Sequence, residues 1–198
     1  FAMGLEEFLV TLIDDPGLIK DMHAFWADFV IEVARDIVSR CEIDFVYFTE
    51  DGIGYTNASI VSPEMYSELW IPAMRKVTDF LHENGIHVIA HYSSGNQIPL
   101  MPVLIDIGVN TYFPLEVAAG VDARELRKRF GKDILLIGNI SRQALMDGPE
   151  AVEEEFHAKV PPLMEEGGYI PAVDDAIMPD ISFESYQRYL DLARTLRL

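Results

Sequence analysis

The 198-residue sequence contains one cysteine, Cys41. A lone thiol excludes an internal disulfide framework and any multi-thiolate metal site within the chain, and it suits a reducing, cytoplasmic setting. Basic residues are also scarce: 15 Lys and Arg stand against 33 Asp and Glu, for a formal net charge of −18. That balance leaves no basic face for phosphates, so it argues against nucleic-acid binding and against docking on anionic lipid. The longest apolar stretches fall far short of a membrane span. No charged-then-apolar leader with a small-residue cleavage site is visible. Low-complexity tracts and interdomain linkers are missing too, so residues 1–198 read as a single domain. The opening Phe1-Ala2-Met3-Gly4 does not look like a natural start, and a fragment of a larger protein is the expectation.

What the sequence does have is a repeat. Five short apolar runs, Asp44–Thr49, His87–Ala90, Thr111–Leu115, Ile134–Ile137 and Tyr169–Val173, each end in a polar cluster and precede a helix-like stretch. The clusters are Glu50-Asp51, His91–Asn96, Glu116, Gly138-Asn139 and Asp174-Asp175. If the runs are parallel strands, every cluster gathers at one sheet edge, the edge where α/β folds bind ligands. Strand-plus-helix units of this kind require right-handed crossovers. The expected fold is α/β, the later portion of a (β/α)8 barrel with parallel strands. An open doubly wound sheet is the competitor, but Asp51-Gly52-Ile53-Gly54 is a poor version of its phosphate loop.

Helix signals fill the gaps. Residues 5–40 read as helical with a break at Asp14–Gly17, and Ile19, Met22, His23, Trp26, Phe29, Val30, Val33, Ile37 and Val38 predict one apolar stripe facing a sheet. Ser62-Pro63-Glu64 predicts a helix start, with a kink or two segments at Pro72 and a stop at Asn84-Gly85. Asp122, Ser141 and Ser182 are N-cap candidates. Pro161-Pro162 predicts a bend or end in the long acidic helix that begins at Pro149. In the last helix Phe183, Tyr186, Tyr189, Leu190 and Ala193 are expected to face inward.

Several segments in fixed order carry a likeness. They are the strand closing on Glu50-Asp51, Val61–Tyr66, Trp70-Ile71-Pro72, the His91–Gly95 loop, Ile107-Gly108-Val109, Pro114-Leu115-Glu116, Ala119–Asp122, Ile137–Ile140 and Gly167 to Asp175. Together they resemble the uroporphyrinogen decarboxylase superfamily, which includes the decarboxylase and zinc-dependent methyltransferases that work with corrinoid proteins. The resemblance implies a (β/α)8 barrel. It also implies either methyl transfer between a small substrate and a corrinoid carried by a partner protein, or decarboxylation of a tetrapyrrole. A non-catalytic binding barrel is the third reading. The methyltransferase branch typically places a histidine–cysteine pair after the second of these strands and another cysteine after the last. Here Tyr92-Ser93-Ser94 and Asp174-Asp175 stand at those points. The decarboxylase branch relies on amino-terminal arginines, and Asp175 stands where its late histidine would be.

The candidate residues follow from chemistry at the expected mouth. His91 and Glu116, with Asp174, are candidate ligands for zinc bound through nitrogen and oxygen. Asp51, His91 and Asp175 are the candidate catalytic residues, acting on substrate or moving protons. Asn139 and Ser94 are candidates for holding a cofactor or a substrate oxygen. Clustered carboxylates either raise one another's pKa values or recruit a cation. None of these mouth segments contains Arg or Lys, which suits a small neutral or cationic methyl donor better than a polycarboxylate.

Overall fold

The apolar runs do form strands, and their partners are the ones a crossover fold requires. The computed structural model describes residues 3–50, 54 and 58–196. Its strands are β1 (Phe45–Thr49), β2 (Val88–Tyr92), β3 (Thr111–Phe113), β4 (Leu135–Ile140) and β5 (Tyr169–Val173), in one sheet of order β1-β2-β3-β4-β5. The pairs β2/β3, β3/β4 and β4/β5 are parallel, with Ala90 opposite Thr111, Thr111 opposite Leu135 and Leu136 opposite Tyr169. Consecutive order with parallel direction means each crossover returns beside the strand it left.

Among the described residues the α-helices are α1 (Leu5–Asp14), α2 (Pro16–Val38), α3 (Pro63–Leu69), α4 (Ile71–Glu83), α5 (Met101–Asp106), α6 (Ala123–Phe130), α7 (Arg142–Asp147), α8 (Pro149–Glu166) and α9 (Phe183–Arg194). They divide with the sheet into two compact units, Phe1–Val46 with Val61–Ile89 and Leu100–Val109, and Tyr47–Ile60 with Ala90–Pro99 and Asn110–Leu198.

In the first unit the breaks fall where the sequence signals them. Asp15 caps α2 by accepting from Leu18 N, and Pro16 opens that helix. Ser62 caps α3 in the same way, and Pro72 opens a second segment at α4. The core here is aromatic and aliphatic. Tyr66 stacks on Trp70 at 5.4 Å between centroids, Phe8 meets Trp70 edge-on at 5.9 Å, and Tyr66 Oη donates to the Met74 sulfur. His23 is structural, its Nδ1 2.8 Å from the Leu69 carbonyl oxygen. The α2 stripe departs from expectation. Ile19 and Ala27 are its buried residues, whereas Phe25 is 74% exposed and Phe29, Val33 and Ile37 also face outward. The helix packs on α4 through the Ile19–Ala27 face, with Lys76 paired to Asp28 across the join.

The second unit holds the paired sheet and α6 to α9. Two strands run further than their apolar stretches indicate. β2 continues through His91 and Tyr92, and β4 through Gly138-Asn139-Ile140, because ladder bonding tolerates polar side chains whose ends are satisfied. Helix α8 passes through Pro161 and Pro162 without ending. Pro162 cannot donate to the Ala158 carbonyl, but Arg124 Nη1 reaches that oxygen at 3.4 Å, so the freed acceptor keeps a partner. Phe183, expected inward, is 79% exposed. It sits at the first position of α9, directly after the Ser182 cap, before the helix has turned its apolar face to the core.

Candidate active site

The carboxyl ends of the strands bring the polar clusters into one continuous rim. Glu50 follows β1, and its backbone N–H donates to the Tyr92 carbonyl at 2.9 Å. His91 lies inside β2, opposite Tyr112 in β3. Its imidazole is fully buried, with Nε2 2.7 Å from Glu50 Oε2 and Nδ1 2.8 Å from Gln97 Oε1. Gln97 is buried as well, and its amide nitrogen points to the Ser93 and Phe113 carbonyls at 3.4 and 3.5 Å. The Glu50 side chain is 13% exposed. The histidine is therefore enclosed between a carboxylate and an amide, and the carboxylate is the member of the set that meets solvent.

Glu116 continues the rim. Buried Leu115, at φ 63, turns the chain after β3, a conformation that branched side chains adopt only under constraint. Glu116 Oε2 then accepts from Gly95 N at 2.6 Å, which ties the β3 exit to the His91 loop. Next to it, buried Asp174 accepts from Val117 N and from Arg142 N, both at 2.7 Å. The second of these bonds caps α7. Ser141, the expected cap, makes no side-chain cap bond, and its own N–H donates to Glu155. Burial pushes the Asp174 carboxyl above its ordinary value, the two backbone N–H groups pull it down, and nearby Glu116 adds to the rise. Asp175, half-exposed, pairs with Arg142 Nη1 at 3.2 Å and caps Ala176 N.

A carboxyl whose folded pKa is raised favours the fold below its unfolded pKa, and that contribution disappears as pH rises through the folded value. Asp174→Asn supplies one oxygen for two N–H donors, so one donor loses its partner at a cost of about 1–3 kcal/mol. The deficit should be largest below the ordinary Asp value of 3.8 and should narrow as pH climbs above it through the raised folded value. Urea unfolding of both proteins across that range checks the trend.

The expected ligand set does not assemble. His91, Glu116 and Asp174 share the rim, but among the described residues no three His, Cys, Asp or Glu side chains are grouped to hold a metal ion. Each is held elsewhere: His91 by Glu50 and Gln97, Glu116 by Gly95 N, and Asp174 by two backbone donors. Cys41 is exposed. Zinc of the histidine–thiolate kind therefore does not fit the residues described. Asn139, expected to hold a cofactor or substrate, is also committed. Its Oδ1 accepts from Ala123 N, and both amide hydrogens go to the Leu115 and Val121 carbonyls, so none remains for a ligand. It adopts φ 66, which Asn tolerates better than most residues. Asn139→Ala should cost about 2–4 kcal/mol through three unpaired buried groups, measurable by chemical denaturation. Ser94 lies in the loop after β2, where its carbonyl oxygen is 3.3 Å from Ser93 Oγ and hard against Gly54. Asp51 lies outside the described residues.

Two cations at this edge escape a reading of the sequence. Arg142 follows the Ser141 turn directly after β4 and pairs with Asp175 and Asp180. Lys159, on α8, is buried and donates to the Asn139 carbonyl at 2.9 Å while pairing with Glu155 at 2.6 Å. Its spacing is informative: Val152, Phe156, Val160 and Leu163 are the buried residues of that helix, and Lys159 falls on their face. Glu50 stands among the mouth carboxylates, but no local pattern singles it out as the partner of His91.

The uroporphyrinogen decarboxylase (URO-D) family model matches residues 2–196, and the chain belongs to that family. Among solved structures, the fold is similar to that of a methyltransferase from Methanosarcina mazei, with a TM-score of 0.64 and 16% identity over 96% of this chain and 52% of that one. The chain thus spans about half the length of that methyltransferase. No curated protein matches it. Five consecutive parallel strands in this family read as a portion of a (β/α)8 barrel. No helix among the described residues is long and apolar enough to cross a membrane.

Proposed function

We propose that this chain forms the working edge of a methyltransferase of the URO-D family, one that demethylates a small O-, N- or S-methylated compound. The observation that carries the reading is the Glu50–His91 contact of 2.7 Å at the carboxyl edge of the sheet, with the imidazole buried and the carboxylate partly exposed. Removing methyl from a neutral ether, thioether or amine leaves an anion that must be protonated or otherwise stabilised, whereas a cationic donor departs as a neutral group. A carboxyl group backed by an imidazole holds a proton where it can be delivered to that heteroatom. A corrinoid on a partner protein would supply the methyl acceptor. Glu50 meets the substrate, His91 shares its proton, and the acidic rim of Glu116, Asp174 and Asp175 favours a neutral or cationic methyl donor. Membership of the family and the fold likeness to a methyltransferase support this reading.

Decarboxylation of a tetrapyrrole is the second reading, and Arg142 is the observation that favours it. Its guanidinium is the edge cation best placed for a substrate carboxylate, though Asp175 and Asp180 hold it here. The test mixes the protein with reduced free cobalamin and a panel of methyl ethers, thioethers and methylamines, and follows methylcobalamin by absorbance. Methylation that depends on the protein supports the proposal. No methylation across the panel, together with salt-sensitive binding of a polycarboxylate porphyrin, replaces it with the second reading.

A further inference from the structure

The geometry points to a site that works without metal: we infer that His91 is a positioning residue for Glu50, clamped by Gln97, and not a zinc ligand. The role given to Glu50 rests on the methyl-transfer reading above, but the clamp itself stands on geometry alone. A zinc site needs three or four protein ligands, with histidine offering one bare ring nitrogen and fixing the other through a hydrogen bond. His91 Nδ1 has that outer bond, to Gln97 Oε1 at 2.8 Å. Its Nε2, the nitrogen that would face a metal, is instead 2.7 Å from Glu50 Oε2.

Even if Glu50 and His91 parted to admit an ion, further ligands are wanting among the described residues. Ser93, which occupies the loop where the related methyltransferases carry a cysteine, is buried, with its hydroxyl 3.3 Å from the Glu50 and Ser94 carbonyl oxygens. Of Asp174-Asp175, which stand where the second cysteine would be, Asp174 has each oxygen on a backbone N–H and Asp175 pairs with Arg142. Freeing Asp174 would uncap α7 and unpair Val117 N. Among the described residues that leaves two ligands, which do not make a zinc site. They do make an oriented carboxyl–imidazole pair, and Gln97 completes it. Its amide nitrogen faces the Ser93 and Phe113 carbonyls, so its oxygen is the atom turned to the ring. Ring rotation would break the Gln97 and Glu50 contacts together, so the amide sets where the carboxylate points.

The experiment uses the purified chain with 15N-labelled histidine. Zinc is offered in competition with a chromophoric chelator, and the His91 ring N–H resonances are recorded in wild type, Gln97→Leu and Gln97→Glu. The expected results are no zinc retained by wild type, a slowly exchanging His91 ring N–H in wild type and Gln97→Glu, and loss of that signal in Gln97→Leu. Gln97→Glu keeps an oxygen acceptor at the ring but turns its second oxygen to the Ser93 and Phe113 carbonyls, so circular dichroism of each variant separates loss of the clamp from loss of the fold. One equivalent of zinc bound with perturbation of the His91 ring signals overturns the inference, as does a ring signal indifferent to Gln97→Leu. Failure of the methyl-transfer reading would leave every one of these readouts unchanged, so the two can fail separately.

Discussion

Glu50→Gln should lower the rate of methyl transfer by about 10²- to 10⁴-fold, the usual range for removing a positioned general acid or base. Glutamine keeps the length and shape of the side chain and still offers the buried His91 Nε2 a hydrogen-bonding partner, so the β1 exit should remain in place. It cannot take up or release a proton. The substrate contact survives and the proton transfer does not, so the loss should fall on the turnover rate with little change in KM. Glu50→Asp keeps the acid but withdraws it by one methylene from a contact of 2.7 Å. Its rate should therefore fall between those of wild type and Glu50→Gln. Single-turnover kinetics, with circular dichroism to confirm the fold, checks both variants. A loss under about tenfold for Glu50→Gln would assign the proton to some other group.

Gly138→Ala should destabilise the protein by about 4–5 kcal/mol, in the range reserved for overpacking combined with backbone strain. Gly138 sits in β4 at φ +114, a region that L side chains rarely adopt. An added Cβ there would stand 1.7 Å from the Pro114 carbonyl oxygen and 2.6 Å from its carbon. The obstacle is backbone, so no rotamer change relieves it. That same carbonyl accepts from Asn139 N at 3.1 Å, and the Gly138 carbonyl accepts from Tyr169 Oη at 2.9 Å. A shift of β4 therefore disturbs the exit of β3, where Glu116 lies, and the start of β5, as well as the Asn139 bonds and the Asp174 N–H bond to the Ile140 carbonyl at 2.9 Å. Guanidinium unfolding should show the midpoint falling steeply with the slope preserved. A cost below about 1 kcal/mol would mean the β3 exit has room to yield.

The strands were legible because a short apolar run closed by a polar cluster is too brief for a buried helix, and in this chain each one alternates with a longer helical stretch. Asp15, Ser62, Asp122 and Ser182 all act as caps, since a helix needs its first donors satisfied and these side chains do that locally. What depends on distant partners was harder to see. Ser141 looks like a cap, but Asp174, 32 residues beyond Arg142, reaches the Arg142 N–H first. Asn139 looks like a ligand-binding side chain at a strand end, yet the Leu115 and Val121 carbonyls between β3 and α6 take both its amide hydrogens, and Ala123 N of α6 donates to its oxygen. The outward stripe of α2 carries the same periodicity as a buried one, and periodicity alone does not say which side the rest of the protein covers. His91 was placed at the right edge by its strand. Its partners, Glu50 and Gln97, come from 41 positions before and six after, a pairing that only the folded sheet brings about.

The most direct test is the methyl-transfer rate of the same preparation before and after exhaustive chelation, and again after zinc is restored. An acid–base edge built on Glu50 predicts one rate throughout, with Glu50→Gln slowed by the same factor at every stage. A rate that vanishes on chelation and returns with zinc would contradict it, and would put a metal where the Glu50–His91 pair now stands.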